Sequence, residues 1–410
     1  MTPINPTPAS SAPSQTFLDE FEKSVAELRG AFIELLATID GLPDRPLQIS
    51  RFLGLDKNLA WKLARVTRAP DPAEAVRHLP GSAGLKRVLE ACDERGAGAN
   101  ELKAVRAAIE RFEGMVDRHT GDRQTLDLLL ASGGPEYPDG ARMEQSRKLA
   151  FQGNSAICGV QARVRFGVQI IAPSASDATL VDHISLGGLV DMRRLRATAA
   201  WPLISVGGYS DERDPSTDHP LVPKINDLPI LHEFSSDPLP PIRVVPEHGG
   251  HLIELAEGPV GDTAAATVVF EWKTKELGSV IGSKPGDVAE FMMYSETPAE
   301  ALAFDLLVHR DLPFAGAPTV RAYSAMHGRP EYPLIEKARY DLPLSEEVAE
   351  LGQGPPVLAH PMLPRQRELI EMACARSKWD LAEFRGYRLT VKFPPTPSVF
   401  ALSYPLLPPE

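Results

Sequence analysis

The stretch Pro46 to Arg68, PLQISRFLGLDKNLAWKLARVTR, governs the reading of the N-terminal part of the chain. Its apolar residues fall into two short runs. Ile49 and Leu53 sit one turn apart, and Leu59, Leu63 and Val66 repeat at helical spacing. Gly54, Leu55 and Asp56 stand between the runs. Glycine adopts the left-handed backbone that ends a helix, and aspartate accepts hydrogen bonds from the free amides that begin one. The stretch therefore predicts two helices joined by a tight turn, with Leu55 as an apolar plug.

At about 100° per residue, the second helix sorts its side chains by face. Leu59, Leu63 and Val66 point one way. Asn58, Trp61, Arg65 and Arg68 point the other, with Lys57 and Lys62 on the flanks. From Arg45 to Arg68 the basic residues are Arg45, Arg51, Lys57, Lys62, Arg65 and Arg68, and the acid is Asp56 alone. The whole chain carries a formal net charge of −12. A basic patch on an acidic protein fits one localised nucleic-acid contact and argues against general coating of nucleic acid.

On these residues the stretch resembles the helix-turn-helix family of DNA-binding domains. Ser50 stands where that family usually places Ala. The resemblance covers this stretch only, and it implies that the second helix enters the major groove. Lys57, Asn58, Trp61 and Lys62 are then expected to face base edges, and Arg51, Arg65 and Arg68 to reach phosphate. Asn pairs bidentately with adenine and Lys with guanine. The same helix pair also occurs as a protein-docking module or a plain packing unit, in which case Trp61 belongs to the core.

Working outward, Thr16 to Asp40 carries Leu18, Phe21, Val25, Leu28, Phe32, Leu35 and Ile39 at alternating spacings of three and four. This heptad seam suits either a homodimer through helix 16–40 or packing on the helix pair of the same chain. Two half-sites on DNA favour the dimer. The segment before it, MTPINPTPASSAPSQ, lacks the basic start and apolar core of a secretory signal and is expected to be a disordered tail over 1–15. After Arg68 the pattern predicts further helices over 72–79, 81–94, 101–119 (capped by Asn100) and 125–130. The helical domain is thus expected over 16–131, and a linker over 132–149 by its Gly and Pro content.

Beyond residue 150 the character changes. Val164, Phe166, Val168 and Ile170 alternate with Arg165, Gly167 and Gln169, as in a strand. Further strands are expected near 203–206, 242–245, 252–255, 265–272, 303–309, 319–323, 387–393 and 399–404, with helices over 364–376 and 379–384. Many of the 39 prolines lie in this half and mark its turns. The fold class is therefore α+β multidomain: an all-helical N-terminal domain and a β-rich, mostly antiparallel region over 150–410, of one or two subdomains.

Chemistry-bearing motifs are sparse. Glu247-His248-Gly249-Gly250-His251 has the residue types of a zinc or iron site but lies in a Gly loop, so Glu247, His248 and His251 are weak metal candidates. His309-Arg310-Asp311-Leu312 looks like the catalytic loop of protein kinases, yet Gly316 stands where that loop needs Asn. No phosphate-binding loop or nucleophile elbow occurs. Cys92, Cys158 and Cys374 form no CxxC pair and read as small packed residues. Arg193, Arg194 and Arg196 form a second basic run that suits an anion contact or a solvated surface. Trp201, Tyr209 and Trp272 suit a pocket or, more commonly, a core.

These observations point to a cytoplasmic DNA-binding protein, a transcriptional regulator without cofactor, whose partner is duplex DNA. The β-rich region would sense a small-molecule or protein effector or drive assembly. No apolar run reaches the ~20 residues of a membrane span. The alternatives are a scaffold whose helical domain docks proteins, and a metal-dependent enzyme in the β-rich region.

Overall fold

The computed structural model describes residues 13–131, 140–207, 228–247, 250–260, 266–326 and 341–409. The chain divides into two compact units between Arg142 and Met143. Helices gather in the first and strands in the second, so the class is α+β. Most of the expected tail lies outside the described residues, and the first helix starts at Pro13.

In the first unit, α1 (Pro13–Ala37) buries its seam. Phe21, Val25, Leu28, Phe32 and Leu35 are buried along it, and Ile39 just beyond its end. The partner is α6 (Ala99–His119), which contributes Leu102, Val105, Ala108, Phe112 and Met115 to the same core. Polar pairs flank the contact: Arg111 Nε donates to Glu27 Oε2 at 2.9 Å, and Glu20 meets Arg118 and, at 2.7 Å, His119. The seam that suits a homodimer through helix 16–40 is buried here against helices of the same chain, as in the other arrangement that the seam allows. A three-four apolar stripe fits any helical partner. The start of α6 is corrected: Gly98 occupies the cap and Asn100 lies inside the first turn.

The helix pair forms as α2 (Pro46–Leu53) and α3 (Lys57–Arg68). Pro46 opens α2, and Gly54 closes it at φ 68°, where a side chain would strain the backbone. The Asp56 carboxylate accepts from the Leu59 amide at 2.9 Å and starts α3. Ser50 is buried, and its Oγ donates to the Leu55 carbonyl at 2.7 Å, tying the turn together. The serine that departs from the family pattern is thus a fastening of the turn. The helices α4 (Pro72–His78), α5 (Ser82–Glu94) and α7 (Arg123–Ala131) complete the unit.

A helix, α8 (Gly140–Cys158), occupies residues 140–149 of the expected linker. It lacks an apolar stripe; Leu149 and Ile157 are exposed. Polar contacts tie it to the segments that precede β11 and β13 in the chain. Buried Arg147 forks onto Glu346, and Asn154 Nδ2 donates to the Thr396 carbonyl at 3.2 Å.

The second unit is built on a six-stranded sheet ordered β11 (Ala349–Gln353), β12 (Phe384–Lys392), β8 (Ala299–His309), β1 (Val160–Pro173), β2 (Leu180–Arg194), β6 (Ala266–Ser279). Its neighbours are antiparallel except the central pair β1 and β8, which run parallel. A second sheet is ordered β10 (Asp341–Leu342), β9 (Thr319–Ser324), β13 (Ser398–Pro405), β7 (Val288–Ser295). A third comprises β3 (Trp201–Gly207), β5 (Gly250–Leu255) and β4 (Ile242–Glu247).

The side chains of β8 alternate between two cores, as a strand's period of two requires. Leu302, Phe304, Leu306 and Val308 pack with Phe291, Phe400 and Leu402 of the second sheet. Ala303 and Leu307 pack with Ile370, Ala373 and Cys374 of α9 (Gln366–Arg376). Asp305 shares that second face, fully buried. The expected helix at 379–384 is a short 3-10 turn, Leu381–Glu383, and Phe384 already belongs to β12.

Candidate functional site

The α3 face follows from its capped start. With Leu59, Ala60, Leu63, Ala64 and Val66 buried, the helix can turn only the remaining side chains outward. Lys57, Asn58, Trp61, Arg65 and Arg68 are exposed, as is Arg51 on α2, and Lys62 is half-buried. Helix α3 itself carries no acid. The Trp61 side chain, 40% exposed, is not a core residue. Its ring meets His78 edge-on at 5.0 Å, and the Arg65 guanidinium lies over it at 5.4 Å. Burial first, and then the Arg65 cation, hold the His78 imidazole below its ordinary value.

The expected phosphate contacts differ in their freedom. Arg65 also approaches Glu74 at 3.9 Å. Arg68 donates to the Asp44 carbonyl, which draws its guanidinium back along the protein. Arg51, Lys57 and Lys62 are the cations of the face best placed to meet an outside anion.

Glu247 and Gly250 pair across the β4–β5 hairpin, and His251 is buried on β5. His248 lies outside the described residues. Among the described residues no group of three or more His, Cys, Asp and Glu is placed to hold a metal ion. The second basic run is split by the fold. Arg194 is buried and donates to the Ala199 and Ala256 carbonyls, while Arg196 donates to the Ile157 carbonyl at 2.8 Å. Arg194 therefore acts as internal strapping and offers nothing to an outside anion. His309 is held by Glu383 at 3.1 Å and by the Asp311 amide at 3.2 Å. Burial pushes the Cys92 thiol up to about 11 and Cys374 to about 12, away from thiolate chemistry. Trp201 and Trp272 pack against the core beneath the third sheet, and Tyr209 lies outside the described residues.

Two arrangements in the second unit carry chemistry that sequence spacing does not reveal. One is the buried network around Asp305. Arg388 Nε and Nη2 donate to its two carboxylate oxygens at 2.8 and 2.7 Å, and Gln366 Nε2 donates at 2.8 Å. Arg388 Nη2 also donates to Gln366 Oε1 at 3.1 Å, closing a ring of three residues. Burial, the largest influence, pushes the Asp305 carboxyl above the ordinary aspartate range against the pull of the Arg388 fork. The other is a cleft of 380 Å³ between β1, β2 and β6, the turn at Phe234 and the start of α9. Gln366 is a wall of this cleft and a member of the ring, so the two arrangements join. An aspartate inside the apolar run ALAFDLLV was the sequence signal for the first, and the cleft had none.

Compared with family models, with curated proteins and with solved structures, the chain matches none. The functional reading therefore stands on the geometry of the residues themselves.

Proposed function

We propose that α3 is a nucleic-acid contact and that the chain is a DNA-binding protein acting in transcription regulation, with the β-rich unit as its ligand-sensing or assembly part. The observation that carries this reading is the solvent face of α3. Lys57, Asn58, Trp61 and Lys62 stand on a capped helix without an acid, behind a tight turn. Lysines on such a face neutralise phosphates, and an exposed asparagine can pair with an adenine edge. Arg51 supports the phosphate contact from α2. Arg65 orders Trp61 and adds charge, and Arg68 steadies the α2–α3 unit.

Fluorescence anisotropy of the full chain on random duplex DNA, at low and near-physiological salt, tests the proposal. Binding should weaken steeply with salt, because displaced counterions supply much of the affinity. The Lys57→Ala/Lys62→Ala variant should lose most of it. An absence of binding at low salt, or a variant that binds as tightly as wild type, would overturn the reading.

A further inference from the structure

The cleft of the second unit has an apolar interior and a charged mouth. Phe166, Val190, Val269 and Leu369 line it. The ionisable residues that line it are Arg163, Asp191 and Arg365, and the carboxylates of Glu368 and Glu233 stand against Arg365 at 2.9 and 3.8 Å. Arg163 Nε donates to Asp191 Oδ2 at 2.5 Å, and Nη2 to the Met362 carbonyl at 3.3 Å. The Arg163 side chain is still 38% exposed. Arg365 lies over the Phe234 ring at 4.5 Å, with Nη1 on the Glu233 carbonyl at 2.6 Å and Nε on Glu368 at 2.9 Å. Both guanidiniums are therefore positioned rather than free to wander.

The backbone at the mouth is strained. Asp191 has φ 50°, in the left-handed region, at the bulge where β2 shifts register against β6. Such a conformation in a residue with a side chain persists only where its surroundings impose it, and it clusters at ligand clamps. Here the bulge seats the carboxylate that holds Arg163. The remaining polar walls are satisfied within the protein. Ser235 Oγ donates to the Leu231 carbonyl at 2.8 Å and accepts from the Val269 amide at 3.0 Å, and Ser236 Oγ accepts from the Thr267 amide at 2.8 Å. Gln366 is locked by Asp305 and Arg388. The cleft is thus preformed and apolar within, with two ion-paired guanidiniums at its rim, and its size falls in the range of small-molecule sites.

We infer that this cleft binds a small organic anion with a flat apolar body. The body lies against Phe166, Val190, Val269 and Leu369, and the anionic group accepts hydrogen bonds from the remaining N–H groups of the Arg163 and Arg365 guanidiniums. The assignment stands whether or not α3 touches DNA.

The probe is 8-anilinonaphthalene-1-sulfonate, an aromatic sulfonate, titrated into the full chain by fluorescence and calorimetry. One saturable site per chain is expected. Val190→Trp, which fills the cleft, should abolish it while circular dichroism and thermal unfolding stay as in wild type. Arg365→Gln, at an exposed position that does not threaten the fold, should weaken binding by about tenfold, the scale of one charge-assisted contact. The uncharged N-phenyl-1-naphthylamine should show no such loss. The Lys57→Ala/Lys62→Ala variant should bind the sulfonate as wild type does. Absence of a saturable site, loss of the site on changing Lys57 and Lys62, full binding by a folded Val190→Trp, or equal affinity of Arg365→Gln and wild type for the sulfonate would each overturn the inference.

Discussion

The Arg388 guanidinium forks onto the Asp305 carboxylate, Nε to Oδ1 at 2.8 Å and Nη2 to Oδ2 at 2.7 Å, with the carboxylate wholly out of solvent. The pair bridges β12 and β8 at the face covered by α9. A buried charge left without its partner is costly, whereas a pair replaced by well-packed apolar groups is often tolerated. Asp305→Ala should destabilise the second unit by about 3–5 kcal/mol. Asp305→Leu/Arg388→Met should lose less than either single replacement. Urea unfolding followed by tryptophan fluorescence measures both, and a double variant as unstable as the two single losses added together would count against a coupled pair.

The turn between α2 and α3 depends on two residues with different duties. Gly54 supplies the left-handed backbone, and Asp56 caps α3. Gly54→Ala should cost about 1 kcal/mol, because nothing crowds the position and only the backbone is strained. Asp56→Ala should cost about 1 kcal/mol through the lost cap. Thermal unfolding of the variants tests this, and an unchanged transition for Asp56→Ala would remove the cap from the account.

If α3 reads bases, Asn58 is its best-suited side chain. On a selected target, Asn58→Ala should weaken binding by roughly 1–3 kcal/mol and leave affinity for random duplex nearly unchanged. Wild type that binds the selected and random duplexes equally would confine α3 to phosphate contact.

Acid should weaken the second unit through two histidines. Burial holds the His183 imidazole down to about 4, and burial with the nearby Arg388 cation does the same for His360. Both rings are neutral in the fold, and the unfolded chain binds their protons from about pH 6.5 downward. The unfolded state thus holds more protons between these values, so stability falls as pH drops from about 6.5 to 4. The loss is on the order of 3 kcal/mol for each ring. His360→Asn retains an acceptor for the Met362 amide, which His360 Nδ1 now receives at 3.1 Å. It should flatten the pH dependence, and an equal slope in wild type and variant would exclude His360 as a contributor.

The helices of the first unit were legible because their signals are local. Caps at Asp56 and Asp71, the stop at Gly54 and a period near 3.6 all act within a few residues of the chain. Helix α8 escaped because polar ties from Arg147 and Asn154 hold it in place of an apolar stripe. Strand β2, which was not among the expected strands, carries Gly187-Gly188 within it. At Gly188 a Cβ would stand 2.3 Å from the Val268 carbonyl oxygen, so close strand approach is the reason for the glycine.

By itself the sequence determined the helix pair, the outward basic face of α3 and the division into a helical and a β-rich part. These follow from short-range backbone preference and from the sorting of apolar and charged residues along one element. The tertiary structure decided what the α1 seam covers, that β1 and β8 run parallel, that Asp305 meets Arg388, and that Arg163, Asp191 and Arg365 share one cleft. Those outcomes join residues far apart in the chain, and pairing of that kind is set by which faces can be buried together, not by the pattern of any single segment.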